Sequence, residues 1–207
     1  MTNADTTFQR AVNGNDKDGK DDDDNEIIYE HSTWERRVAI RKRTVVKRHV
    51  NKSELLVRDN GTVVHPYWGQ ERLRNEAATL ALIAEKTTIP VPKCRLYMEN
   101  GALNLETTRI TSGIIMSGLE GDIRQTAIAA VEKQIQNDIL PQLRSLRRNF
   151  IGSIDTSLPV FPLQRVYLLG RRPWERVTSD TDEFVLCHND LAPQNILVDP
   201  DDDFRIV

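Results

Sequence analysis

Two cysteines in a chain of 207 residues exclude a disulfide framework, since Cys94 and Cys187 lie far apart and form no metal-ligand pair. Long apolar runs are missing as well. The N-terminus carries no apolar signal core, and no stretch reaches the length of a membrane span. Nor does one sign of charge dominate: 28 basic side chains face 31 acidic ones, a net charge of −3. Global charge therefore predicts no nucleic acid as partner, and the absent apolar runs predict no membrane. These absences leave a soluble, cytoplasmic protein. With 39% hydrophobic residues the chain can bury a core, in one ordinary domain or two small lobes.

The charge that is present is unevenly placed. Between Met1 and Glu26 three basic residues (Arg10, Lys17, Lys20) stand against eight acidic ones, including the run Asp21–Asp24. Such a segment buries too little apolar surface to offset its ordering entropy, so residues 1–26 are expected to be a disordered acidic tail. From residue 27 the texture changes to short β-branched runs: 27–29, 37–40, 44–50, 55–57 and 62–65. Asn60-Gly61 marks a two-residue hairpin, a turn whose central positions both need positive φ. Gln70 to Lys86 reads as a helix with Leu73, Ala77, Leu80 and Ala84 on one stripe. Two strands follow near 94–98 and 103–107, joined by Asn100-Gly101. A second helix is expected from Asp122 to Arg147, with Ile123, Ala127, Val131, Ile135 and Ile139 inward and Pro141 kinking or breaking it. Residues 150–183 read as irregular, and short strands are expected at 184–187, 196–199 and 204–207. The order of elements gives an α+β chain in two parts.

The informative stretch runs from Phe184 to Asp199. An apolar strand precedes His188-x-Asp190-Leu191-x-Pro193-x-Asn195, and another follows it. Phosphoryl transfer asks a protein mainly for positioning and charge neutralisation. A carboxylate must orient a substrate hydroxyl and accept its proton; five residues on, an amide oxygen can face a metal ion held by nucleotide phosphates. Asp190 is the base candidate, Asn195 the metal ligand, and His188 a buried residue that props the loop. Five fixed residues within eight arise by chance at roughly one in 10⁴ for a chain of this length. The plainer alternative is a surface turn, because Asn189-Asp190 and Pro193-Gln194-Asn195 are common turn residues.

This stretch resembles the aminoglycoside phosphotransferase and choline kinase-like group, which shares the two-lobed protein-kinase fold. The resemblance covers residues 27–207, strongly at 184–199 and weakly elsewhere. Protein kinases of eukaryotes carry an arginine before the catalytic Asp and a lysine two residues after it. Asn189 and Ala192 stand there instead, which points to a kinase of small molecules. The resemblance implies an antiparallel-sheet N-lobe over 27–110, a partial helical C-lobe over 111–207, ATP and Mg2+ as cofactors, and a small-molecule hydroxyl as acceptor. It also implies a phosphate-contacting lysine on an early strand and a glutamate on the next helix. Lys47 and Glu76 match these, with Lys42 and Lys52 as alternatives to the first and Glu71 to the second. Residues 106–110 occupy the inter-lobe hinge, where the backbone at Thr108 and Ile110 would contact adenine.

Two departures stand out. The Arg41-Lys42-Arg43 turn, near the place where kinases carry a flexible Gly-rich phosphate cover, has no glycine. Family members also continue into an Asp-containing motif that holds magnesium and into acceptor-binding helices, whereas this sequence stops at Val207. The expectation is a fragment, a truncated gene model or a degenerate kinase of low activity, with an exposed apolar face. Non-catalytic binding of a nucleotide or partner is the competing function. Asp199-x-Asp201-x-Asp203 has the opening spacing of a calcium loop, but Phe204 stands where glycine is needed, so a hairpin turn is expected.

Overall fold

The computed structural model describes residues 26–160 and 174–207. The acidic-tail expectation for residues 1–26 falls almost wholly outside these residues. What is described is an α+β chain of antiparallel sheets and few helices. It divides into two compact units. The first holds the described residues up to Ala81, Pro92–Arg109 and the segment beginning at Ser153; the second holds Leu82–Val91, Ile110–Gly152 and Trp174–Val207.

In the first unit, β1 (Ile27–Ser32), β2 (Arg36–Arg41) and β3 (Thr44–His49) form a meander of β-branched and long side chains. A short hairpin, β4 (Leu56–Val57) and β5 (Val63–Val64), follows. Then come helix α1 (Gly69–Lys86) and strands β6 (Cys94–Glu99) and β7 (Ala102–Thr108). All pairings are antiparallel, and the five-stranded order is β1-β2-β3-β7-β6. Strand β7 therefore lies between β3 and β6, and six of its seven residues are buried. Leu73 and Ala77 of α1 pack on Leu103 and Leu105 of β7, with Cys94 and Leu96 beside them. Ala78 and Ile83 are also buried, whereas Ala84 of the expected stripe is exposed because it lies in the last turn, beyond this packed cluster.

The two Asn-Gly turns differ. Asn100 and Gly101 both have positive φ, 50° and 74°, as a two-residue hairpin turn requires. At Asn60-Gly61 only Gly61 does, at 78°. There the Gly61 N–H bonds to the Arg58 carbonyl, and the Asn60 side chain accepts the Thr62 N–H, so the connection is a longer loop.

The second unit contains β8 (Ile114–Ile115), helix α2 (Gly121–Gln134), a π-helical turn at Ile135–Ile139 and helix α3 (Leu140–Ser145). Pro141 neither breaks the helix nor lets it stay regular. Lacking an N–H, it cannot serve the Asn137 carbonyl, and the helix widens by one residue just before it. Short pairs follow: β9 (Arg147–Arg148), β10 (Phe150–Ile151), β11 (Val177–Thr178) and β12 (Phe184–Val185), joined as β10·β11 and β12·β9. Finally β13 (Leu197–Asp199) and β14 (Arg205–Ile206) form a three-stranded sheet with β8, ordered β14-β13-β8. Its core joins Met116, Leu119, Ala127, Val131, Ile196 and Val198. Ile123, expected inward, is 58% exposed, since the first turn of α2 precedes the part of the helix that meets this cluster. The Asp199–Asp203 run is the β13–β14 turn, with the Asp199 side chain accepting the Asp201 N–H.

Candidate functional site

Lys47 lies on β3 opposite Val38 of β2 and Leu105 of β7. Because directly paired residues share a sheet face, Lys47 projects on the face that Leu105 offers to α1. Glu76 sits on α1 three residues after Leu73 and one before Ala77, the two residues that dock the helix. The result is an ion pair, Lys47 Nζ to Glu76 Oε1 at 2.5 Å, across 29 residues of sequence. Both side chains are about one-third exposed (31% and 33%), so the pair can still meet a ligand. Lys42 lies instead in the β2–β3 turn and Lys52 in the short helical turn Lys52–Glu54.

Asp190 and Asn195 belong to a loop that leaves β12 and enters β13. Local hydrogen bonds hold it. Asn189 adopts φ of 65°, a left-handed conformation that asparagine tolerates better than most residues. The Asp190 N–H donates to His188 Nδ1 at 3.3 Å. Ala192 N–H donates to the Asp190 carbonyl, and Pro193 opens a single helical turn through Asn195. That turn aims the Asn195 carboxamide back at Asp190: its Nδ2 donates to the Asp190 carbonyl at 2.9 Å and to Oδ2 at 3.0 Å. With the nitrogen so engaged, the amide oxygen is the end left for another partner. Ile196 and Val198, directly after, are buried in the core and anchor the loop.

His188 departs from expectation. It is exposed, not buried, because β12 stops at Val185 and the residues after it run over the surface. Its support of the loop is the hydrogen bond to Asp190 and not packing.

Thr108 ends β7. Its N–H donates to the Lys93 carbonyl at 2.9 Å, and its hydroxyl accepts the Lys93 N–H at 3.1 Å. Both groups are thus engaged by Lys93, in the segment that leads into β6. The Arg109 N–H closes on the Arg43 carbonyl at 2.7 Å, and the Arg109 side chain reaches the carbonyls of Arg41 and Lys42 at 3.5 Å. The basic turn is therefore tied to the end of β7. Ile110 is the first residue of the second unit after this point.

Sequence reasoning did not single out two features of the first unit. Glu106 is 7% exposed on β7 and forms a two-point contact with Arg95, at 2.9 and 3.2 Å. A concavity of about 770 Å³ is lined by His49, Asn51, Lys52, His65, Gln70 and Asn100, among others. Of the candidate site residues named from sequence only the alternatives Lys52 and Glu71 line it; Lys47, Glu76 and the other predicted site residues do not. Within it, His49 Nδ1 accepts the Leu103 N–H at 2.8 Å, and its Nε2 lies 2.9 Å from the Gln70 carboxamide. Both ring nitrogens are thereby engaged.

Among the described residues no group of three or more His, Cys, Asp or Glu side chains gathers as a metal site. No described helix is long and apolar enough to cross a membrane. Comparison with protein-family models, with curated proteins and with solved structures finds no match.

Proposed function

We propose that this chain is an ATP-dependent phosphotransferase acting on a hydroxyl of a small molecule, of the aminoglycoside phosphotransferase type. The observation that carries the reading is the Lys47–Glu76 ion pair. A kinase needs a strand lysine oriented toward phosphates by a helix glutamate, and this pairing was expected from a motif more than a hundred residues downstream. The contact between Asp190 and Asn195 supports the same reading from the second unit.

Each side chain then has a task. Lys47, held by Glu76, binds the nucleotide phosphates. Asn195 fixes Asp190 Oδ2, which leaves Oδ1 to orient the acceptor hydroxyl. As the acceptor oxygen bonds to the γ-phosphorus, the bond to the ADP oxygen breaks and the hydroxyl proton passes to Asp190. The donor available to magnesium is the Asn195 amide oxygen, a hard ligand whose nitrogen end is engaged by Asp190, with phosphates and water to complete the shell. When bound, that ion neutralises charge on the transferred group.

The test is ATP consumption with magnesium, measured over a panel of aminoglycosides, choline and sugars. Asp190→Ala is expected to lower kcat by ~10²–10⁴-fold while leaving the melting temperature and ATP affinity in place. Equal turnover by that variant would sink the proposal. Nucleotide binding without turnover is the second reading, since the Lys47–Glu76 pair by itself would hold phosphates without transferring one. Thermal stabilisation by ATP that ignores magnesium would support it.

A further inference from the structure

Strand β2 begins with two arginines whose surroundings differ sharply. Arg37 donates to the Thr33 carbonyl at 3.0 Å and lies 3.6 Å from Glu54. Arg36 is half-buried, yet among the described residues its guanidinium makes no hydrogen bond or ion pair. Five donors in a rigid fork without an acceptor are an unusual thing to keep half out of water.

Register decides where the fork lies. Arg36 pairs with His49, and Val38 pairs with Lys47. Arg36, Val38, Lys47 and His49 therefore share the sheet face on which α1 packs. Arg72 stands one helical turn before Glu76 on that helix and reaches Glu35 at 3.5 Å. The β1–β2 turn is fixed by Thr33, whose hydroxyl accepts the N–H groups of Glu35 and Arg36 and donates to the Arg36 carbonyl. It places Glu35 so that one carboxylate oxygen reaches Arg72 while the other makes no hydrogen bond among the described residues, and Arg36 feels the Glu35 charge without a direct contact. Locally, three cations (Arg36, Lys47, Arg72) face two carboxylates (Glu35, Glu76), and the two ion pairs leave Arg36 over. Burial first, then the nearby Arg72, push the Arg36 guanidinium below its ordinary value, against the opposite pull of Glu76 and Glu35. An anion arriving here would relieve that repulsion and fill the fork.

We propose that Arg36 is a second phosphate-binding cation beside Lys47, receiving the polyphosphate of the nucleotide from the β1–β2 turn. This rests on the kinase reading of the Lys47 site and deepens it. A turn that lacks glycine cannot wrap phosphates closely with its backbone, and a side-chain fork can do that work from farther away. The turn in question is Thr33–Glu35 and not the Arg41–Arg43 turn, which lies at the other end of β2 and binds the Arg109 side chain through its carbonyls.

The experiment is calorimetric titration of the full chain and of Arg36→Gln and Arg36→Lys, with magnesium, using ATP, adenosine and inorganic tripolyphosphate. Arg36→Gln is expected to weaken ATP and tripolyphosphate by ~10- to 100-fold, to leave adenosine unchanged, and to melt no lower than the wild type. Arg36→Lys should fall between the two, and it carries the test by itself if the glutamine variant does not fold. Equal ATP affinity in wild type and variants overturns the proposal while the kinase reading stands. Tripolyphosphate binding that Arg36→Gln abolishes, without any ATP binding, keeps the anion site and removes the nucleotide. A wild type that binds neither overturns both.

Discussion

The two units hold their candidate residues by different means. Lys47 and Glu76 stand on a six-residue strand and an 18-residue helix; Leu73 and Ala77 press that helix onto Leu103 and Leu105 of β7, the strand paired with β3. Asp190 and Asn195 stand on an exposed loop whose geometry comes from hydrogen bonds within eight residues and from the buried Ile196 and Val198 behind it. The first pair is positioned by a core, the second by a local backbone conformation. Damage to packing should therefore move the Lys47–Glu76 pair first, and damage to a turn should move the Asp190–Asn195 pair.

The largest expected effect follows from the core. Leu105 has no exposed surface and lies directly opposite Lys47. Truncating it leaves a cavity between β7 and α1, which relaxes only in part. Leu105→Ala should destabilise the protein by ~2–5 kcal/mol in urea unfolding and weaken ATP binding as Glu76 loses its fixed approach. A change below ~0.5 kcal/mol would mean that packing is not what holds the Lys47–Glu76 pair.

The corresponding probe of the second unit is Gly113, which precedes β8. A Cβ added there would stand 2.7 Å from Val207 Cγ2 and 3.1 Å from Leu197 Cβ. Leu197 opens β13, the strand that receives the Asp190–Asn195 loop. Gly113→Ala is an overpacking change and should cost ~1–3 kcal/mol. The sharper readout is kinetic: kcat should fall while ATP affinity stays. If both parameters instead move as in Leu105→Ala, the contrast between a packed site and a loop site is lost.

Much of the first unit was legible because its signals are local. β-branched runs, the Asn100-Gly101 turn and the helical stripe each reflect a preference of a few residues. Lys47 and Glu76 are named through the family resemblance; the local signals place one on a strand and the other on a helix but do not by themselves choose them over Lys42, Lys52 or Glu71. Asp190 and Asn195 could be named as a pair because a five-residue spacing across a short loop lets two side chains meet, as they do at 3.0 Å. What was not legible depends on register and depth. Arg36 and Arg37 are identical side chains in adjacent positions, and only the pairing with His49 and Arg48 sends one toward α1 and the other toward Glu54. His188 is expected to be buried as the prop of its loop, yet strand pairing ends at Val185 and the residue lies exposed. Pro141 is visible in any sequence, but whether a helix breaks there or widens into a π turn depends on what the next turn can dock against. Leu143, buried at 5%, supplies that dock.

The smallest effect tests a surface cluster that belongs to neither candidate pair. Glu54 accepts two bonds of 2.7 Å from Arg48 and one of 2.8 Å from the Asn51 N–H, with Arg37 at 3.6 Å. These partners, the Arg48 hydrogen bonds first, hold its carboxyl down from 4.5 to about 2. A carboxyl depressed on folding contributes stability that is fully present above its ordinary range and is lost as pH falls toward the folded value. Glu54→Gln should therefore lower the melting temperature modestly at neutral pH, worth ~1 kcal/mol for a pair that is about one-quarter exposed (26%). The gap between wild type and variant should close as pH drops from above 4.5 toward 2, whereas the Leu105→Ala deficit, being apolar, should persist through that window. A Glu54 gap that stays constant with pH would assign its role to shape and not to charge.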